Sequence, residues 1–126
     1  MAPLRVSSTA GDKSYIDIRV GGGDFTVHQI KADISELGAN VDADGYLKPG
    51  TPLRTTGAVG APITGAGQGD VVLVGPEPVR IGAADHTVNA FFAGVFSRQA
   101  IEANLGRVLT ADELASIAAT PGLRLI

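Results

Sequence analysis

The glycine-rich run Gly65-Ala66-Gly67-Gln68-Gly69-Asp70 is the first place to look for chemistry, because closely spaced backbone amides ahead of a helix can hold a phosphate. Here the run leads instead into Val71-Val72-Leu73-Val74 and lacks the Lys-Ser/Thr pair of such loops, so a plain loop is expected. Asp42, Asp44 and Gly45 match a fragment of a calcium-binding loop. The complete loop spreads its oxygen ligands over about twelve residues and closes on a bidentate Glu, whereas position 51 is Thr and the next Glu is Glu77. A turn is expected there, since Asp-Gly tolerates unusual backbone angles. The two imidazoles are His28 and His86. Asp85 and His86 are adjacent, and neighbours in sequence do not make the geometry of a catalytic triad without partners from elsewhere; no Gly-x-Ser-x-Gly elbow is present. Two isolated histidines also fall short of a zinc ligand set. Glu102, Asp112 and Glu113 are acidic neighbours in sequence only, and Glu113 has a capping role to fill. The residues therefore predict no catalytic group, no metal site and no cofactor, and the chain reads as a non-enzyme.

The elements that would position any site follow from periodicity. Tyr15-Ile16-Asp17-Ile18-Arg19-Val20 alternates, with Ile16, Ile18 and Val20 on one face, and predicts a half-buried strand. Phe25-Thr26-Val27-His28-Gln29-Ile30 resumes extended character beyond Gly21-Gly22-Gly23-Asp24, which suggests a hairpin across the glycines. Lys31 to Leu37 suits one helical turn. Pro49 and Pro52 around Gly50 and Thr51 argue for an irregular or edge segment, because proline cannot donate to a ladder. Residues 55–70 form the longest candidate loop. Val71–Val74 reads as a strand buried on both faces, Val79-Arg80-Ile81 as a shorter one, and Val88–Phe96, with apolar groups on both faces, as a strand that is central or covered by another subunit. Ser97 is placed to cap a helix over about Arg98–Leu105 that stops at Gly106. Thr110-Ala111-Asp112-Glu113 is a capping box, and Leu114, Ile117 and Ala118 share one face of the helix that follows. The expected fold class is mainly β with two short C-terminal helices (α+β), as a flexible arm over residues 1–14 and a single β-rich domain over 15–126.

Composition narrows the function classes. The chain has 126 residues, with 44% hydrophobic, 17 Gly, 7 Pro and no Cys. Gly and Pro make about a fifth of it, above average yet short of the level that marks low-complexity disorder. Ten basic against thirteen acidic residues give a net charge of −3, mixed along the chain, and no basic stripe is present to displace counterions from nucleic acid. No apolar run approaches the ~20 residues of a membrane helix, and Met1-Ala2-Pro3-Leu4-Arg5 lacks the layout of a signal peptide. The expectation is a soluble, unprocessed protein with neither nucleic-acid nor membrane partners. Residues 1–14 hold only Leu4 and Val6 as sizeable apolar groups, too few to offset the entropy of ordering unless a partner takes them up.

The run Ala93-Gly94-Val95-Phe96-Ser97-Arg98-Gln99-Ala100-Ile101-Glu102-Ala103-Asn104-Leu105-Gly106-Arg107, followed by Leu109-Thr110-Ala111-Asp112-Glu113, resembles the carboxy-terminal signature of the head decoration proteins of tailed bacteriophages, the family typified by the lambda head decoration protein. Gly45-Tyr46-Leu47-Lys48-Pro49-Gly50-Thr51-Pro52-Leu53 is similar to that family's glycine- and proline-rich turn before a strand. The resemblance implies a small, compact β-rich decoration fold and a homotrimer at three-fold and quasi-three-fold positions of the capsid exterior. There it would cement major capsid protein subunits of the expanded head against the pressure of packaged DNA, after assembly in the host cytoplasm. It also implies an amino-terminal arm that orders on the capsid by pairing with a capsid strand. Leu4, Arg5 and Val6 are the candidate arm contacts, main-chain hydrogen bonds supplying affinity and side chains supplying register. Phe91 and Phe92 are candidates for the trimer or capsid interface. The stretch 55–70 departs from the family pattern as an insertion. Two other readings stand beside this one: a small β-barrel binding module or other phage structural adaptor that uses the phenylalanine-rich strand, and a hydrolase using His86 with Asp85 or another carboxylate.

Overall fold

A computed structural model describes residues 6–10, 13–21, 25–32, 37, 40–55, 60–65, 69–81 and 86–126. The chain runs β1 (Val6–Ala10), β2 (Lys13–Ile16), β3 (Thr26–Ala32), β4 (Tyr46–Leu47), β5 (Pro52–Arg54), β6 (Ala61–Pro62), β7 (Val71–Val74), β8 (Val79–Arg80), β9 (His86–Phe96), α1 (Arg98–Leu105), α2 (Ala111–Ala119) and β10 (Leu123–Leu125). The main sheet has the order β10-β9-β7-β5-β6, with β3 also paired to β9. Its pairings are antiparallel except for β10, which lies parallel to β9. A parallel return needs a crossover, and here α1 and α2 supply it. Two further antiparallel pairs, β1-β2 and β4-β8, lie outside this sheet. The architecture is mainly antiparallel β-sheet with two short C-terminal helices, as the periodicity predicts.

β7 and β9 are central because their side chains are apolar in both directions. On β7, Val71 and Leu73 enter one core with Ile18, Ala100, Ile101 and Ile117, while Val72 and Val74 enter a second with Leu37, Leu47 and Leu53. β9 is shared in the same way, with Val88 and Ala90 in the second core and Phe91 and Phe96 in the first. Phe91 and Phe96 are five residues apart, so strict alternation would send them to opposite faces. Gly94, at φ 139°, lies between them, and the β3-β9 register shifts at Thr26/Val27. That irregularity turns Phe96 back to the face of Phe91, as β-bulges re-aim side chains. The rings then stack tilted at 5.0 Å between centroids, with Phe25 edge-on to both.

Several expected elements take a different form. The strand expected over Tyr15–Val20 is confined to Lys13–Ile16 and pairs with β1, with Arg19 making only an isolated bridge to Phe96. Asp17 is the physical reason: its Oδ1 accepts the Arg19 N–H at 3.0 Å, a local bond that competes with the ladder. Tyr15 and Ile18, three apart, are the buried pair instead of Ile16, Ile18 and Val20. The hairpin across the glycines does not form either, since β2 meets β1 and β3 meets β9. Lys31 and Ala32 belong to β3, and residues 33–36 of the expected helical turn lie outside the described residues. Pro52 begins an interior strand, not an edge one. β5 sits between β7 and β6, but the β6 pairing covers Leu53 and Arg54 and stops short of Pro52. Within the expected 55–70 loop, Ala61–Pro62 form the last strand of the sheet, an edge place that suits proline. The Val88–Phe96 strand is central within the chain, extended to His86.

A methyl group at Gly94 would collide with the ring of Phe25, approaching Cε1 to 2.8 Å, at a φ that L-residues rarely adopt. Gly94→Ala is expected to cost about 2 kcal/mol or more through strain and overpacking. Gly106→Ala, at a left-handed helix cap where the added methyl meets nothing within 4 Å, should cost only about 1 kcal/mol. Urea unfolding of the two variants beside the parent chain measures the difference.

Candidate functional site

The segment singled out by its resemblance is built from polar joints. Ser97 ends β9 extended and accepts the Ala100 N–H at 3.1 Å, opening α1; Gly106 closes it at φ 72°. Inside α1, where Asn has poor propensity, Asn104 is buried because it serves as a substitute strand. Its Oδ1 accepts the Ile16 N–H at 2.8 Å, and its Nδ2 donates to the Ile16 carbonyl at 2.8 Å and the Pro49 carbonyl at 3.3 Å. One side chain thereby ties β2 and the proline turn to the helix. Lys48 reaches the same C-terminal end of α1, donating from Nζ to the Leu105 carbonyl at 3.1 Å, where a cation also offsets the helix dipole.

Arg107 makes the next joint. Its guanidinium grips Glu113 through both oxygens, Nη1 to Oε1 at 2.7 Å and Nη2 to Oε2 at 3.0 Å, and Nη2 also donates to Asn40 Oδ1 at 3.0 Å. Glu113 simultaneously completes the capping box with Thr110. Burial pushes the Glu113 carboxyl up, but the Arg107 guanidinium and the Thr110 hydrogen bonds more than offset it, so the group titrates below its ordinary value. Further along α2, Ser116 donates to the Gly65 carbonyl, and Thr120 Oγ1 accepts the Val71 N–H while donating to Ser116 O. These partners rotate the helix. Its buried residues are Glu113, Ser116 and Ile117, rather than the expected face of Leu114, Ile117 and Ala118; Leu114 is half-buried and Ala118 exposed. Hydrogen-bonded polar groups displace apolar ones from the inner side because, once paired, their burial costs little.

The candidate chemical residues fall in separate places. Asp42 organises a turn: Oδ1 accepts the Asp44 and Tyr46 N–H groups at 2.9 and 3.0 Å, and Oδ2 accepts the buried Tyr15 hydroxyl at 2.5 Å. Burial and that carboxylate push the Tyr15 phenol up. His28 lies on the exposed side of β3, its ring edge-on to Phe92 at 4.9 Å. His86 begins β9, and Asp85 lies outside the described residues. Asp70 accepts from Thr55 through Oδ2 and its carbonyl, closing the base of the glycine-rich loop, whose residues 66–68 lie outside the described residues. Among the described residues, no three or more His, Cys, Asp or Glu converge as a metal ligand set.

The interface candidates separate too. Phe91 is completely buried inside the first core, whereas Phe92 is half-buried at the edge of the second. Leu4 and Arg5 lie outside the described residues, and Val6 begins β1 opposite Ile16. Two basic residues that periodicity does not single out, Arg98 and Arg124, flank a groove between α2 and β10. Asn104 carried a readable signal, a polar amide within an otherwise apolar helical pattern. Arg107 and Asn40, 67 positions apart in the chain, carried none.

Asn104→Ala should remove about 2–3 kcal/mol by orphaning buried backbone groups and should speed amide exchange at Ile16 more than in β7. A carboxyl whose pKa is lower in the folded than in the unfolded chain contributes stability above its unfolded value, about 4.5, and loses it as pH falls through the lower folded value. The deficit of Glu113→Gln is therefore expected to be greatest near neutral pH, about 2 kcal/mol, and to shrink below pH ~4; urea unfolding across that range reads it. Comparison of the chain with protein-family models, with curated proteins and with solved structures finds no match, so its functional reading rests on the residues themselves.

Proposed function

We propose that this chain is a capsid decoration protein of a tailed phage, binding the outer surface of the expanded head as a homotrimer at three-fold and quasi-three-fold sites and bracing the shell. One observation supports the reading: several residues of the resembling segment serve this fold as joints. Gly94 allows the change of face in β9, Ser97 and Gly106 bound α1, Asn104 holds β2, and Arg107 with Thr110 and Glu113 locks the second helix to the turn at Asn40.

The amino-terminal strands give the reading further support. β1 pairs with β2 in a sheet of its own, and β2 is anchored at Ile16 by Asn104. A short pair fixed at its base can exchange its weak partner for a longer strand on another protein, gaining main-chain hydrogen bonds. Three such arms on one trimer would act together at high effective concentration. Phe91 offers no surface either to a trimer contact or to a binding module built on the phenylalanine-rich strand, which leaves half-buried Phe92 as that strand's candidate contact.

The test is incubation of the purified chain with expanded and unexpanded heads that lack their own decoration protein. A trimer in sedimentation, retention on expanded shells alone, and added density at three-fold positions by cryo-electron microscopy are the expected results. A monomer at every concentration with no retention on either shell would overturn the proposal.

A further inference from the structure

Between α2 and β10 lies a groove whose floor is the outer edge of the first core. Leu114, Ile117, Ala118, Leu125 and the exposed Ile126 form its apolar lining, Arg98 and Arg124 flank it, and its volume is about 390 Å³. The rotation of α2 creates it: by turning Glu113 and Ser116 inward, the helix leaves Leu114 and Ala118 facing the end of β10. The Arg98 N–H donates to the Ile126 carbonyl at 3.1 Å, which fixes the start of α1 against the end of the strand that carries Arg124.

Two guanidinium groups line the groove, one of them paired with Glu102. Arg124 is exposed and has no ion pair among the described residues. Arg98 shares only its Nε with Glu102, at 3.2 Å in an exposed pair, leaving both Nη groups for another acceptor. On a chain of net charge −3, two guanidinium groups beside an apolar floor form a local positive site, and arginine forks suit carboxylates. Depth decides what kind of carboxylate. Of the apolar lining, Ile117 is fully buried, Leu114 and Leu125 are half-buried and Ala118 is exposed. A site that encloses a small ligand covers most of its surface, and a groove this shallow covers one or two side chains of something larger.

We propose that this groove docks an acidic peptide segment of a partner protein, a carboxylate engaging Arg98 and Arg124 while a neighbouring Leu, Ile or Phe packs over Ile117. The site uses no residue of the arm, and its test does not depend on whether the chain decorates a capsid.

The test titrates the isotope-labelled full chain with three synthetic peptides, followed through backbone amide signals. The first is Gly-Ser-Glu-Leu-Asp-Leu-Gly-Ser; the second replaces its acids with Lys, the third its leucines with Ala. Saturable shifts at Leu114, Ile117, Ala118 and Leu125 with the first peptide, in the millimolar range or tighter, are expected, with about tenfold weaker binding of the third and no saturation by the second. The double variant Arg98→Glu/Arg124→Glu should lose the acidic peptide and take the lysine one, a swap that damage to the fold would not produce. Equal response to both charges, no saturable shift at those amides with the acidic peptide, or saturation by decanoate without any by the peptide would each overturn the proposal.

Discussion

β9 pairs with β3, β7 and β10 and feeds both cores, and a strand can serve two cores only if successive side chains leave it in opposite directions. Val88 and Ala90 satisfy that rule for the core under Leu37 and Leu47, and Phe91 for the core under the helices. Phe96 would then point the wrong way. The chain resolves the conflict at Gly94, a backbone conformation open to glycine, and so gathers Phe25, Phe91 and Phe96 into one aromatic cluster. Arg19 closes over it, its guanidinium 6.0 Å from the ring centres of Phe25 and Phe91 and held by Asp17. The helices pack on that cluster, and their placement determines where β10 returns.

A domain of this size buries a limited core, and this one has no disulfide to reinforce it. Its peripheral pieces are joined by buried polar side chains: Asn104 to β2 and the proline turn, Arg107 to Glu113 and Asn40, Thr120 to β7, and Asp42 to Tyr15. Such bonds add modestly to stability when made and cost more when broken. They therefore specify one arrangement of the short strands more sharply than nonspecific apolar contact would. The same economy shapes the surface, because a helix that turns its polar joints inward must turn some apolar residues outward. The groove flanked by Arg98 and Arg124 is a consequence of that exchange.

Much of the domain was legible from periodicity alone. Val71–Val74, Val88–Phe96, both helices and their caps follow from runs of side chains that have one stable way to be buried or capped. Local strength was enough in those stretches. It failed where short-range preferences were close to balanced: Tyr15–Val20 alternates well, yet the Asp17 carboxylate captures the Arg19 amide, and of the segment read as irregular or edge, Pro49 and Gly50 form a turn while Pro52 begins an interior strand. The candidate chemistry was legible in a different sense. Sequence spacing assigned Asp42, Asp44 and Gly45 to a turn, and the turn's hydrogen bonds account for the Asp42 carboxylate oxygens.

By itself, then, the sequence determined the class of the fold, the two central strands, the helix boundaries and the resemblance on which the functional proposal rests, because each is encoded by residues close together in the chain. Only the tertiary structure decided which strands pair, which face of α2 is buried, and that Arg98 and Arg124 share a groove. Those outcomes depend on groups as far apart as Ile16 and Asn104 or Asn40 and Arg107. No local pattern records which distant carbonyl, carboxylate or ring a side chain will meet. The energy of meeting it exists only after the chain has closed around both.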